Sequence, residues 1–287
     1  MILTLSLSAA LLANPMPIVQ HEDQKPFNCT RCDAWNEHVE PHLLAANTWY
    51  VGSKGLASVL IVDKKGLVLI DGGLPQSAEL ILDNVRNAGF DPAEIRWILN
   101  SHAHFDHAGG IAALARITGA QVAAGRDGVF ALTKGPYHPE DPQAGFGERV
   151  RFPSLSHVHA VDDGDVITVG STTITAVDSS GHAPGGMSWR WKSCRDDVCR
   201  DVVYLDSLNP VSTDDYRFSD HPKIVEALRA ATERLAALPC DVAMAAHPDQ
   251  LPEAPNATTT RCAAYADQAR ENLRKRLEKE RKPAVVL

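Results

Sequence analysis

Between positions 101 and 110 the chain reads Ser101-His102-Ala103-His104-Phe105-Asp106-His107-Ala108-Gly109-Gly110. Side chains alternate along an extended backbone, so His102 and His104 project to one side, and a turn over Phe105 to His107 brings Asp106 and His107 to an adjacent point. Imidazole and carboxylate donors suit zinc, with Zn–N distances of about 2.0–2.1 Å, and two such ions about 3.5–4 Å apart can share a hydroxide. Gly109 and Gly110 let the chain turn close to the metals. Two more histidines emerge directly after β-type runs, in Gly181-His182-Ala183-Pro184-Gly185-Gly186 and in Ala245-Ala246-His247-Pro248. His21, His38, His42, His138, His157, His159 and His221 lack that setting and are read as surface or packing residues, His138 standing apart only because it lies in a long loop.

The elements that must position these donors follow from periodicity. Val59-Leu60-Ile61-Val62 and Leu67-Val68-Leu69-Ile70 flank Asp63-Lys64-Lys65-Gly66, which predicts an antiparallel hairpin. Ala78, Ile81, Leu82 and Val85 recur at helical spacing, with Gly89 placed to end the helix. Trp97-Ile98-Leu99 is a short buried strand running into the histidine segment. Ile111, Leu114 and Ala115 predict a helix stopping at Gly119, and a strand follows over 121–124. Residues 125–153, rich in Gly, Pro and polar side chains, read as one long loop of the kind that is usually functional or mobile. Tyr137 and Phe146 are its candidates for apolar contact with a substrate. Strands resume over 166–169 and 172–177, then through Trp189-Arg190-Trp191 and Val202-Val203-Tyr204-Leu205. A helix with Ile224, Leu228, Ala231 and Leu235 on one face starts after Pro222, a strand covers 242–246, and a charged helix from about residue 263 to 282 closes the chain.

A length of 287 residues with 44% hydrophobic and 22% charged side chains fits one α/β domain with a sizeable core, and excludes disordered and polytopic membrane classes. A formal charge of -8, with no basic block outside the last helix, gives no footprint for nucleic acid. Residues 1–13 form an apolar stretch too short to span a bilayer and read as the core of a signal peptide, although no basic residue precedes it; residues 14–287 are then the mature domain, periplasmic or secreted, without a stable membrane anchor. The six cysteines agree with export. Cys194 and Cys199 flank a polar hairpin tip that a disulfide can close, and Cys240 and Cys262 tie a helix end to the last helix. Cys29-Thr30-Arg31-Cys32 admits a zinc half-site or a redox motif; with no second CxxC and no surrounding βαβ pattern, a structural disulfide is the preferred reading.

With these residues in view, the chain resembles the metallo-β-lactamase superfamily, whose HxHxDH signature, later GH and final His match positions 102–107, 182 and 247. The resemblance runs from about Asn47 onward. It implies an αββα sandwich, two mixed sheets face to face with helices outside, and a dinuclear zinc site at one edge. Within the superfamily the blocks Trp189 to Cys199, Tyr204-Leu205-Asp206-Ser207-Leu208, Tyr216-Arg217-Phe218-Ser219-Asp220-His221-Pro222 and Cys240-Asp241-Val242 are similar to subclass three of the class B β-lactamases. Carried over residue by residue, His102, His104 and His182 hold a first zinc, while Asp106, His107 and His247 hold a second. Asp71, in Ile70-Asp71-Gly72-Gly73, resembles the family aspartate that supports the ligands from a strand end. The CxxC matches no motif of that subclass.

The resemblance implies hydrolysis of β-lactam amides by a hydroxide held between the metals, with Ser207 and Asn209 binding the substrate carboxylate. No Gly-x-Ser-x-Gly nucleophile motif is present. The competing enzyme reading is a lactonase or a glyoxalase II-like thioesterase of the same fold, in which Asp206 bridges the metals. A non-catalytic zinc sensor would be marked by a lost ligand, and none of the six is missing. A monomer acting on small β-lactams is expected.

Overall fold

The computed structural model of the chain describes residues 21–135, 137–256 and 259–281; the apolar leader read at 1–13 lies outside them. In chain order the regular elements are α1 (Cys32–Trp35), β1 (His42–Ala45), β2 (Thr48–Tyr50), β3 (Val59–Asp63), β4 (Gly66–Ile70), α2 (Ser77–Asn87) and β5 (Ile95–Leu99). These are followed by α3 (Phe105–Ala108), α4 (Ile111–Thr118), β6 (Gln121–Gly125), α5 (Gly128–Lys134), β7 (His159–Val161), β8 (Val166–Val169) and β9 (Thr172–Asp178). The chain continues through β10 (Met187–Arg195), β11 (Val198–Leu205), α6 (Pro222–Ala236), β12 (Val242–Ala245) and α7 (Arg261–Arg281).

The strands form a seven-stranded sheet in the order β1 to β7 and a five-stranded sheet in the order β12-β11-β10-β9-β8. Both are mixed. The first is antiparallel from β1 to β4 and parallel from β4 to β7, and the second is antiparallel except for the β11–β12 pair. Alternation sorts the side chains into layers. Val59, Ile61, Val68 and Ile70 face inward with Ile174, Trp189, Val202 and Tyr204 of the second sheet. Leu60, Leu67, Leu69 and Ile98 face outward against Ile81, Leu82 and Leu114 of α2 and α4. Val203 and Leu205 pack on Leu228, Leu235 and Tyr265 of α6 and α7. This is the expected αββα sandwich. Helices cover both outer faces, so β4 is buried at every position, which explains its unbroken apolar run.

Two tryptophans of β10 tie the sheets together through their ring N–H groups. Trp189 donates to the Asn100 carbonyl at 3.2 Å and Trp191 to Thr48 Oγ1 at 3.0 Å. Full burial of a ring as large as Trp189 contributes on the order of 4–6 kcal/mol in transfer terms. Its bond to Asn100 also fixes the strand end from which the histidine segment starts. All six cysteines are paired, as Cys29–Cys32, Cys194–Cys199 and Cys240–Cys262, and the second pair faces across the β10–β11 register as the hairpin-tip reading required. Among the described residues no helix is long and apolar enough to cross a membrane.

One sequence expectation is corrected. The segment 125–153 is not one loop, because 128–134 forms α5 and 144–150 a kinked 3-10 stretch. The first sheet also extends beyond the predicted hairpin through β1, β2 and β7, three short strands without a clear alternating signature.

Candidate metal centre

The donors stand at the C-terminal ends of strands from both sheets. His102 and His104 lie on the extended segment after β5, and Asp106 and His107 occupy the first turn of α3. His182 lies in the turn between β9 and β10, and His247 directly follows β12. The Gly109-Gly110 reading holds for a physical reason. A Cβ on Gly110 would stand 2.3 Å from the Gly72 carbonyl oxygen, so only glycine lets α4 start against the loop after β4.

The structure brings all six candidates together, each no more than 9% exposed. Donor atoms of His102, His104 and His182 lie within 4.8 Å of one another, as do those of His102, Asp106 and His107. His107 Nε2 is 3.1 Å from His247 Nε2 and 3.4 Å from Asp106 Oδ2, and His247 Nε2 is 3.3 Å from the same oxygen. Ligands at about 2.0–2.1 Å from a tetrahedral ion stand about 3.3–3.4 Å apart. These three atoms therefore have the spacing of one face of such a site, and they fit a divalent metal.

The surroundings fix which ring nitrogens are presented. His102 Nδ1 is 2.7 Å from Asp206 Oδ1, and His182 Nδ1 is 2.7 Å from the Asn209 carbonyl, so both rings turn Nε2 toward the centre. His104 is reversed, with Nε2 2.9 Å from Asp141 Oδ2. His247 Nδ1 is 3.2 Å from the Gly55 carbonyl, and His107 Nδ1 is 3.5 Å from Asp71 Oδ2. Asp71 accepts from Ser101 N at 2.7 Å, Ser101 Oγ at 2.6 Å and Asn100 Nδ2 at 3.2 Å, with the Tyr204 hydroxyl 2.8 Å away. Its φ of 60° is a left-handed conformation in which Asp is among the better tolerated residues. Asp71 thus connects the segment that carries His102 to the ring of His107.

Electrostatics agree with this arrangement. Burial, reinforced by the neighbouring His107, His104 and His182, holds His102 well below the usual imidazole range, and burial with His104 pushes His182 down to about 3. Both rings are neutral at pH 7, with a lone pair free for a metal. Burial alone would lower His107, yet the Asp106 and Asp71 carboxylates outweigh it and raise His107 to about 10. Burial likewise opposes ionisation of Asp106, but His107 and His247 hold its carboxyl well below the usual range. The field among Asp106, His107 and His247 favours a positive charge, a proton or a metal ion.

Three side chains read as substrate contacts bond or pack within the protein. Asn209 spends its side-chain amide on Gln250 at 2.7 Å and Asn272 at 2.9 Å, so only its backbone carbonyl serves the centre. Tyr137 is 3% exposed and stacks on His104 with ring centroids 4.3 Å apart, which makes it backing for a donor rather than an open wall. Phe146 is partly buried against the first-sheet core. Ser207 is 2% exposed and directly follows Asp206. Asp206, fully buried, keeps its second oxygen 3.4 Å from Ser179 Oγ and its backbone N–H on Ser188 Oγ; a Cβ on Gly186 would come within 2.4 Å of that oxygen. Asp141 and the Gly55 carbonyl were not found from sequence. Asp141 carried one usable signal, a carboxylate among loop prolines, whereas a carbonyl acceptor has no residue type to search for.

Metal-binding side chains at the strand ends of an αββα sandwich define a metal-dependent hydrolase. Residues 55–247 match the metallo-beta-lactamase superfamily, and the chain belongs to it. It is similar to a solved B3 metallo-β-lactamase described as having an active-site glutamic acid, with 41% identity, 91% of this chain and 98% of that one covered, and a TM-score of 0.87. A metallo-β-lactamase from Novosphingobium pentaromativorans is 41% identical over 88% of this chain and 94% of that one, with a TM-score of 0.82. Among curated proteins, a probable metallo-hydrolase of Bacillus subtilis is 27% identical over 125 residues, 43% of this chain; the chain spans only 45% of that relative's length.

Proposed function

We propose that this chain is a zinc β-lactamase of the third subclass, opening the amide of the β-lactam ring in penicillins, cephalosporins and carbapenems and so conferring antibiotic resistance. The observation that carries the reading is the pair of donor sets, His102, His104 and His182 beside Asp106, His107 and His247, in a chain 41% identical to a B3 enzyme over nearly its whole length. Each set would hold one zinc ion. When bound, zinc supplies Lewis acidity and an activated water near neutral pH.

The chain's own residues do the rest. Asp206 and the Asn209 carbonyl hold the His102 and His182 rings in the tautomer that offers Nε2. Asp71 keeps the strand end under His102 in register with His107. Ser207, next to Asp206, is assigned to the substrate carboxylate. Because Asp206 Oδ1 is engaged by His102 Nδ1 at 2.7 Å, the lactonase or thioesterase reading, in which this aspartate bridges the metals, is the weaker one. All six donors come from one chain, which supports a working monomer, and complete cysteine pairing supports an oxidising compartment, periplasmic or secreted.

The test is metal analysis of the purified protein together with hydrolysis of a carbapenem and an acyl-homoserine lactone, with and without a chelator. About two zinc ions per chain, with carbapenem turnover that a chelator abolishes and zinc restores, is the expected result. Lactone turnover with no β-lactam hydrolysed would replace the reading by its rival.

A further inference from the structure

We propose that Asp141 is a positioning residue for His104, accepting a hydrogen bond from its Nε2–H so that Nδ1 is the nitrogen offered to a metal ion. The inference rests on the metal reading above and adds a residue to it.

His104 is 2% exposed, one face of its ring lies on Tyr137, and its Nε2 stands 2.9 Å from Asp141 Oδ2. A neutral imidazole has one N–H and one lone pair, so donation from Nε2 leaves Nδ1 as the acceptor. The Gln143 side-chain amide nitrogen lies 3.4 Å from that Nδ1, as a donor facing a lone pair would. His102 and His182 are held the other way round, through Nδ1. The first donor set therefore needs two Nε2 atoms and one Nδ1, and Asp141 is the group that imposes the exception.

Asp141 is itself fixed. Its N–H donates to the His138 carbonyl at 2.9 Å, its Oδ1 accepts from Gln143 N at 2.7 Å, and its carbonyl accepts from Ala144 N at 2.9 Å. At 4% exposure its carboxylate has little water to turn to. The next residue links two loops, since Thr213 N donates to the Pro142 carbonyl at 3.3 Å. Thr213 lies on the loop after β11, four residues beyond Asn209, whose carbonyl holds His182. The acceptors for His104 and His182 thus sit on two loops joined to each other, and displacement of either disturbs the same donor set.

The experiment uses Asp141→Asn, Asp141→Ala and the exposed neighbour Glu140→Gln in the full chain. Long-range nitrogen–proton correlation spectra of the metal-free protein report the His104 tautomer without any appeal to activity. The parent is expected to show protonated Nε2, Asp141→Asn to keep that form through its remaining oxygen, and Asp141→Ala to populate both tautomers. Chelator competition on the zinc-loaded protein should show one ion held about 10-fold more weakly in Asp141→Asn and up to about 100-fold more weakly in Asp141→Ala, the other ion unchanged. Glu140→Gln should match the parent. A His104 ring still wholly protonated at Nε2 in Asp141→Ala overturns the proposal, and Asp141→Leu, which also removes the acceptor, decides the matter if Asp141→Ala does not fold. Equal losses in Asp141→Asn and Glu140→Gln also overturn it, as does a lower melting temperature in Asp141→Ala with tautomer and affinity unmoved. A parent that binds no zinc refutes the proposed function instead, and leaves the tautomer measurement to judge Asp141.

Discussion

The two donor sets use the same chemistry but are held in different ways. In the first, each ring nitrogen facing away from the centre meets an oxygen at 2.7–2.9 Å, from Asp206, the Asn209 carbonyl and Asp141. In the second, the corresponding contacts of His247 and His107 are 3.2 Å to the Gly55 carbonyl and 3.5 Å to Asp71. Hydrogen bonding is longer there, and packing supplements it. Trp35 of α1 lies 5.3 Å from the His247 ring, and a Cβ on Gly55 would stand 2.4 Å from its indole. Trp35 is part of an N-terminal arm that includes the Cys29–Cys32 disulfide and Phe27, which stacks on Phe105 at 4.1 Å. Short bonds from fixed acceptors pre-orient the first set before a metal arrives, whereas the second depends on the arm and on the charge at its centre.

The largest effect is expected where the two modes of support meet. Asp71→Ala removes the acceptor of Ser101 N, Ser101 Oγ and Asn100 Nδ2 and the partner of Tyr204, all buried. Each buried group left unpaired costs about 1–3 kcal/mol, so a loss of about 3–5 kcal/mol in denaturant unfolding of the metal-free protein is expected, with weaker binding at both sets. A loss below about 1 kcal/mol would show that Asp71 does not join them.

The contrast itself is tested by stepwise zinc removal. The ion of the second set should leave first, and Trp35→Ala should weaken that ion about 10-fold while costing about 2 kcal/mol in stability, less than a fully buried tryptophan because Trp35 is partly exposed. Site-resolved cobalt substitution followed by titration with a chelator reads this directly. If the first-set ion leaves earlier, short hydrogen bonds are not what decides retention.

A smaller change is expected at Asp206. Its fully buried carboxyl is pushed well above the usual range, chiefly by burial, and an amide oxygen can still accept from His102 Nδ1. Asp206→Asn should keep two zinc ions and cost about 1–2 kcal/mol. Ser207→Ala should keep both ions and raise KM for β-lactams more than it lowers kcat. Loss of zinc in Asp206→Asn, with Ser207→Ala behaving like the parent on every β-lactam, would favour the lactonase reading.

What could be read in advance tracks how local each feature is. Four donors within His102 to His107, the β3–β4 hairpin and the end of α4 at Gly119, whose φ is 73°, are written in contiguous residues. β1 and β2 are short strands joined across Ala46-Asn47, and β7 has three residues, too few to show a period. α5 spans seven residues and is hidden among glycines and prolines. The supports of the centre were the least legible part. Asp141 lies 37 positions from the ring it touches, and Gly55 acts through a carbonyl that every residue possesses. At Asn209 the side chain drew the substrate expectation, and the structure adds a backbone role that no residue type announces, the carbonyl that meets His182.

The smallest effect is expected at Tyr137, where hydrogen bonding and packing can be separated on one side chain. Its ring stacks on His104 at 26°, and its hydroxyl accepts from Phe105 N at 3.3 Å, beyond the usual 2.7–3.2 Å range. Burial raises the phenol well above its ordinary pKa, so the group stays neutral and acts by shape. Tyr137→Phe keeps the stacked ring and removes only that long bond. It should cost no more than about 0.5–1 kcal/mol, leave both zinc affinities at the parent value and leave KM unchanged. Tyr137→Leu, which loses the flat face, should weaken the first-set ion several-fold by letting the His104 ring tilt away from Asp141. If Tyr137→Phe already weakens that ion, the loop reaches His104 through the hydroxyl and Phe105 rather than through Asp141, and the first set is no better pre-oriented by its acceptors than the second.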